Sequence, residues 1–281
     1  MPEGDTVHRV ARILSRELAG RPVDRLELRD RGPLPELAGS VVEAVEPRGK
    51  HMFLHLSGGW SVRVHLGMKG RWRRLHVRQK RPPHLTVLIV TGSRAYVCVG
   101  AYRAEPVRTA EAHRHPKVSR LGPDLLAEPP RIDEAVRRAR RPALGDREIG
   151  DLLLDQRVAA GIGNVYKSEV LFECRIHPRT PAARLAEADV RALFETAARL
   201  MRLNLLTRRR THVPLRRRPT PSSRRLWVYG RAGDPCLDCG TPIERFLQGD
   251  MGRSTWFCPA CQPAVEPGTG GEPAAPRPSA C

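Results

Sequence analysis

Cys236-Leu237-Asp238-Cys239 and, eighteen residues further on, Cys258-Pro259-Ala260-Cys261 decide how the C-terminal part of this 281-residue chain is built. The spacing is that of a four-cysteine zinc ribbon. Each C-x2-C turn sets two thiolates about 3.5–4 Å apart, and two such turns complete a tetrahedron around one Zn2+. Sulfur fills all four positions and leaves none for water, so Cys236, Cys239, Cys258 and Cys261 are expected to hold a structural zinc ion. Two disulfides are the alternative. They require an oxidising compartment, for which nothing else in the chain speaks. Between the pairs, Gly249, Asp250 and Gly252 read as a turn joining two short strands. Arg253 stands just past the tip of that hairpin, where a fixed guanidinium suits a phosphate. Cys98 and Cys174 lie in apolar surroundings and read as small buried hydrophobes. Cys281 ends a tail, residues 263–281, whose five prolines and three glycines predict disorder.

Upstream of the ribbon the pattern is helical at about 131–140, 146–155, 164–174 and 187–206. A basic loop follows at 207–225, with Arg208-Arg209-Arg210, Arg216-Arg217-Arg218 and Arg224-Arg225. It reads as a solvated loop whose arginines can reach phosphates. Within the helical stretch, Ala160-Gly161-Ile162-Gly163-Asn164 permits a tight double turn, with Asn164 as N-cap of the next helix. Backbone N–H groups at such a helix start can hold a DNA phosphate. Residues 3–19 also read as a helix: Val7, Val10, Ala11, Leu14 and Leu18 share one face, and Gly20 suits the C-cap. From Val23 to about Val107 short strands alternate with turns, including 41–45, 52–56, 61–66 and 85–90, as in a sandwich or barrel. Residues 108–130 read as a linker.

Composition narrows the function. Lys and Arg number 49 against 30 Asp and Glu, a formal charge of +19, and the sequence pI is about 10.9. Such a charge calls for a polyanionic partner, nucleic acid first and an anionic membrane surface second. The 40% hydrophobic content supports a sizeable core. No apolar run approaches the ~18–20 residues of a membrane span. The start, Met1-Pro2-Glu3-Gly4-Asp5, carries acid where a signal peptide carries base. A cytoplasmic protein is therefore expected, with no membrane partner.

Pro2 is the candidate for chemistry, the alternative being an ordinary first-turn proline with Glu3 as a dipole-complementing acid. Removal of the initiator Met is expected before so small a residue, which frees a secondary amine. Such an amine can attack an aldehyde carbon to form an iminium. An α-amino group has a pKa of ~7.7–8.0, so a useful fraction is neutral at physiological pH. The helix N-terminus that follows disfavours an ammonium further. Glu3 is next, close enough to exchange protons with a bound sugar. Lys50, in Pro47-Arg48-Gly49-Lys50-His51, rides the tip of a hairpin, where it can reach a phosphate or donate a proton.

Taken together these segments resemble the formamidopyrimidine-DNA glycosylase/endonuclease VIII family. The resemblance covers about residues 2–262. It rests on Pro2-Glu3-Gly4, Gly49-Lys50-His51, His65-Leu66-Gly67-Met68-Lys69-Gly70, Leu121-Gly122-Pro123-Asp124, Ala160 to Asn164, Val228-Tyr229-Gly230-Arg231 and the ribbon. The opening Pro2 to Arg9 is most similar to the endonuclease VIII branch. The resemblance implies an α+β, two-domain fold: an N-terminal helix plus β-sandwich, then a helical domain with a helix–two-turns–helix motif and the zinc ribbon, DNA lying in the cleft. The expected boundaries are 1–125, 126–225, 226–262 and a tail at 263–281.

It further implies a monomeric glycosylase and abasic-site lyase acting on damaged double-stranded DNA, with the lesion flipped out of the stack. Pro2 would displace the base at C1′, and β,δ-elimination would follow from the iminium. Glu3 would be general acid/base, Lys50 would serve β-elimination, and Arg253 would bind phosphate in δ-elimination. For Arg253, stabilising the departing phosphate is easier than donating a proton, because guanidinium hardly deprotonates. Asn164, Lys167 and His84 would contact DNA, with Met68 inserting as a wedge. The wedge Gly67-Met68-Lys69 follows the formamidopyrimidine branch. Residues 97–104 do not match that branch's Asp-Pro-Arg-Arg-Phe-Gly stretch. Oxidised pyrimidines are the favoured lesions. Two other readings share the charge: a non-catalytic zinc-ribbon protein that binds damaged DNA, and an RNA-binding, ribosome-associated factor.

Overall fold

Val7, Ala11, Leu14 and Leu18 recur at helical spacing, and all four are buried in α1 (Gly4–Leu18) of the computed structural model. Residues 1–207, 209–214 and 225–264 are described. The expected helix, 3–19, is one residue longer at each end, because Glu3 is the N-cap and Ala19 the C-cap. Gly20 sits one position beyond the cap at φ +77° and donates its N–H to the Val42 carbonyl at 2.8 Å. The residue that ends the helix therefore also ties it to the first sheet.

Nine strands follow: β1 (Arg25–Leu28), β2 (Gly32–Pro33), β3 (Val42–Arg48), β4 (His51–Leu56), β5 (Trp60–His65), β6 (Arg71–His76), β7 (Leu85–Thr91), β8 (Arg94–Val99) and β9 (Arg103–Arg108). They form a four-stranded sheet, β3-β4-β5-β9, and a five-stranded sheet, β2-β1-β7-β8-β6. Leu26, Leu54, Val62, Ile89 and Tyr96, drawn from both sheets, share one buried core with the apolar face of α1. This is the expected helix-plus-sandwich. Strands β6 and β9 are edge strands and carry Arg71, Arg73, Arg74, Arg103 and Glu105, so they lack the continuous buried runs of the inner strands β4, β5, β7 and β8. Residues 109–121, expected within a linker, instead cover the sheet and include the one-turn helix α2 (Thr109–Ala112). Ala112 and Val118 bury Phe53 on the face opposite Leu54.

The chain divides into two compact units, residues 1–121 and 122 onward. The second unit contains α3 (Ile132–Ala139), α4 (Ile149–Leu152), α5 (Asn164–Glu173) and α6 (Glu187–Leu203), then the hairpin β10 (Glu244–Gln248) and β11 (Arg253–Phe257). Helix α5 is enclosed along nearly its whole length, with Tyr166, Val170 and Leu171 packed among Phe194, Leu193 and Met201 of α6. Helix α4 is a single turn where ten helical residues were expected, because Asp155 turns the chain by accepting from the Val158 and Arg157 N–H groups. Among the described residues no helix is long and apolar enough to cross a membrane. Arg208, Arg216-Arg217-Arg218, Arg224 and the tail from 265 to Cys281 lie outside the described residues.

Candidate active-site turns and cysteine cluster

Pro2 lies immediately ahead of α1 and is half-buried. Glu3 takes extended backbone, φ −130°, and its carbonyl accepts the Val7 N–H at 3.1 Å. Its side chain is 1% exposed yet makes no capping bond to the helix. The carboxylate therefore sits next to Pro2 and the positive end of the helix dipole.

Lys50 occupies a two-residue hairpin turn, closed by the Arg48–His51 pair of β3 and β4. Gly49 takes φ +58° at the first turn position, the conformation a II′ hairpin requires there. The first residue beyond the turn, His51, is buried, and Arg63 Nη1 donates to its Nδ1 at 2.8 Å. A guanidinium only donates, so the ring's own proton must lie on Nε2. Arg63 is held in turn by Glu105, whose Oε1 accepts from Arg63 Nε at 2.8 Å and lies 3.0 Å from His115 Nε2. His65 pairs across from His51, with ring centroids 4.8 Å apart. Burial, with the neighbouring His65, Arg63, His115 and Lys50, pushes the His51 pKa down to about 3. Burial, Lys50 and Arg63 hold His65 at about 4. Burial pushes the Glu105 carboxyl up, but Arg63, Arg103 and His115 together outweigh it and hold it below the usual range. At neutral pH two uncharged imidazoles therefore support the Lys50 turn.

Met68 tops the turn after β5 and is 64% exposed. Tyr102, which the sequence reading did not single out, stands beside it at 75% exposure. A Cβ on Gly67 would lie 2.7 Å from the Tyr102 Cβ, so the two loops meet in contact. The Tyr102 N–H donates to the His65 carbonyl at 3.0 Å, and the two rings meet edge to face. The available signal was a tyrosine flanked by Gly100-Ala101 at a break between strands. His84 is exposed in left-handed backbone, φ +57°, and its carbonyl accepts the Gly100 N–H.

In the second unit the double turn is fastened by Gln156. Its Nε2 donates to the Leu154 and Ile162 carbonyls, and its Oε1 accepts the Gly161 N–H. Gly163 is the N-cap of α5, not Asn164, which is already the first helical residue. Asn164 turns its Nδ2 to the Ser254 carbonyl at 2.7 Å instead. Lys167 departs furthest from expectation. Its side chain is fully enclosed and its ammonium donates to Thr255 Oγ1 at 2.6 Å, so it offers DNA no surface. The reading from sequence failed there because residue type gave the charge but not which face of α5 the ribbon covers. The same helix supplies Glu169, an enclosed carboxylate that accepts the Trp227, Val228 and Tyr229 N–H groups and lies 2.9 Å from His212 Nδ1. Burial alone would raise its pKa, but these bonds outweigh it and keep it low. It anchors the segment leading into the ribbon.

Strands β10 and β11 pair antiparallel, and Gln248 opposite Arg253 closes the turn. Arg253 is exposed at the first position of β11. At the other end, the Sγ atoms of Cys236, Cys239, Cys258 and Cys261 all lie within 4.8 Å of one another. The Cys236–Cys261, Cys239–Cys258 and Cys239–Cys261 separations are 3.9, 3.5 and 3.5 Å. A zinc–sulfur bond of ~2.3 Å in a tetrahedron sets sulfurs about 3.8 Å apart, so the donor set fits Zn2+. The four cysteines are free, not paired as disulfides. The Asp238 and Cys261 N–H groups point at Cys236 and Cys258 Sγ, and Arg175 pairs with Asp238 beside them. Gln262 fastens the ribbon's end, its Nε2 donating to the Ile176 carbonyl at 2.8 Å.

A helix-plus-sandwich unit, followed by a helical unit that carries a four-thiolate hairpin, defines a narrow structural class. Residues 1–104 match the family model described as the formamidopyrimidine-DNA glycosylase N-terminal domain, and residues 121–212 match its H2TH domain. The chain is 40% identical to a probable endonuclease 8 2 of Streptomyces coelicolor, over 96% of this chain and 97% of that one. It is 36% identical to a protein of Mycolicibacterium smegmatis named DNA-(apurinic or apyrimidinic site) lyase Nei2, over 94% of this chain and all of that one. The fold matches Lactococcus lactis Fpg in complex with abasic-site DNA, with a TM-score of 0.80 and 22% identity, over 94% of this chain and all of that chain. The chain belongs to the formamidopyrimidine-DNA glycosylase/endonuclease VIII family.

Proposed function

We propose that this protein is a DNA glycosylase and abasic-site lyase of base-excision repair, with Pro2 as nucleophile. The observation that carries the reading is the placement of Pro2 directly ahead of a helix N-terminus, beside an enclosed Glu3 carboxylate. The neutral Pro2 amine attacks C1′ of the flipped nucleotide. The glycosidic bond breaks, and the base leaves with its bonding pair and takes a proton. The nitrogen then gives up its proton, and its pair forms the iminium as the C1′–O4′ bond breaks and the ring oxygen leaves, protonated, as the 4′ hydroxyl. Glu3 exchanges the proton with the sugar. Loss of a C2′ proton breaks the C3′–O bond and expels the 3′ phosphate. A second elimination expels the 5′ phosphate. Lys50 serves the first of these steps from its turn, and Arg253 stabilises the departing phosphate in the second.

Asn164 keeps a second amide hydrogen for a backbone phosphate. Met68, with Tyr102 beside it, presents an apolar wedge suited to the gap left by flipping. His84 is a further DNA contact. Cys236, Cys239, Cys258 and Cys261 hold one structural zinc ion. The substrate is damaged duplex DNA with oxidised pyrimidines favoured, and the protein works as a monomer in the bacterial cytosol without a membrane partner.

The test is a duplex with a single central thymine glycol, end-labelled, incubated with purified protein. The account predicts strand scission leaving phosphate on both sides of a one-nucleotide gap. Tight binding of the lesion with an intact strand would contradict it and favour the non-catalytic, damage-binding reading.

A further inference from the structure

The Arg253 guanidinium is exposed, and among the described residues no ion pair holds it, so its aim is set by its backbone. That backbone is fastened from beneath by a chain of hydrogen bonds, beside the Asn164 bond to the Ser254 carbonyl. Lys167 Nζ, fully enclosed, donates to Thr255 Oγ1 at 2.6 Å and reaches the Ser254 carbonyl at 3.4 Å. Thr255 Oγ1 donates to Gln248 Oε1 at 2.7 Å. Gln248 Nε2 donates to Glu148 Oε2 at 2.8 Å and to the Pro178 carbonyl at 2.9 Å. An ammonium only donates and a carboxylate only accepts. With one at each end the chain has a single sense: the Thr255 hydroxyl must point to Gln248, and the Gln248 amide cannot flip. The bonds grip Ser254 and Thr255, which follow Arg253, and Gln248, which pairs with it. The tip is seated so closely that a Cβ on Gly150 would lie 2.4 Å from Gln248 Oε1. An ammonium at the head of this chain gives it its direction.

We propose that Lys167 is a positioning residue for the second elimination, acting through Thr255 and Gln248 on the backbone that aims Arg253. This rests on the proposed lyase reading. The bonded chain is made of residues of the second unit alone, and in this proposal forming the iminium and expelling the 3′ phosphate do not depend on it.

The test uses full-length, zinc-loaded protein and an abasic-site duplex, with β and β,δ products resolved on a denaturing gel. The variants are Lys167→Met, Thr255→Val and Thr255→Ser. Thr255→Val keeps the shape and removes the hydroxyl, whereas Thr255→Ser keeps the hydroxyl. Lys167→Met and Thr255→Val are expected to raise the ratio of β to β,δ product about tenfold, with zinc content and borohydride-trapped adduct unchanged. Thr255→Ser is expected to restore the wild-type ratio. Should Lys167→Met fail to fold, the Thr255 pair still decides. Wild-type ratios in Thr255→Val would overturn the proposal, as would a fall in trapping or zinc content that matches the fall in δ product. A wild-type protein that traps DNA but yields only β product would overturn it while leaving the lyase reading standing. No trapping by wild type would remove the lyase reading itself.

Discussion

His51 and His65 set a pH dependence that the carboxylates cannot. Both rings have pKa values well below the ordinary histidine value of 6.5, about 3 and about 4, so between those values and 6.5 the unfolded chain binds protons that the folded one refuses. Their contribution to stability is full above pH 6.5 and is lost progressively as pH falls toward the folded values. Glu46 and Glu105, held below the usual carboxylate range, keep their charge across most of that window. Stability should therefore drop by roughly 1 kcal/mol per histidine between pH 7 and pH 5.5. Thermal melts across that range check this, and His51→Gln should remove about half the slope. An unchanged slope in the variant would show that other groups carry the dependence. Pro2, Glu3 and Lys50 could be proposed from sequence at this scale because the chemistry assigned to them depends on type and on neighbours along the chain. Lys167 and Tyr102 were not, because burial and the meeting of two loops are set by residues distant in sequence.

At the scale of elements, each proposed phosphate-side cation sits at a hairpin turn. Lys50 lies between β3 and β4, and Arg253 follows the β10–β11 turn. A two-stranded hairpin is marginal by itself in water. The β3–β4 turn is the end of a four-stranded sheet. The β10–β11 hairpin has the cysteine cluster at its far end and α5 along its side. Zinc binding to such a cluster is folding free energy for the ribbon. Chelation should abolish strand scission and lower the melting temperature, and restoring one zinc per chain should return both. Full scission by protein whose metal analysis shows no zinc would contradict this account of the cluster. The inner strands β4, β5 and β7 and the long helices were legible from their apolar spacing. The edge strands β6 and β9 were not, since one flank of each is unpaired and tolerates charge. Helix α4 is short because Asp155 competes for backbone N–H groups.

For the whole molecule, the formal charge of +19 is the broadest statement of function and the least specific, since any polyanion satisfies it. The four cysteines narrow it to a ribbon. Only their joint order with the N-terminal proline, the hairpin lysine and the glycine double turn narrows it to one family, and the fold of both units agrees. The covalent role of Pro2 is the claim on which the rest depends. Protein whose initiator Met has been removed should be mixed with a duplex bearing one abasic site and treated with borohydride, and the adduct digested and mapped by mass spectrometry. The account predicts a reduced, covalent protein–DNA adduct on the N-terminal peptide at Pro2, absent when an extra residue precedes Pro2. An adduct that maps to a lysine, or no adduct from correctly processed, zinc-loaded protein, would contradict it.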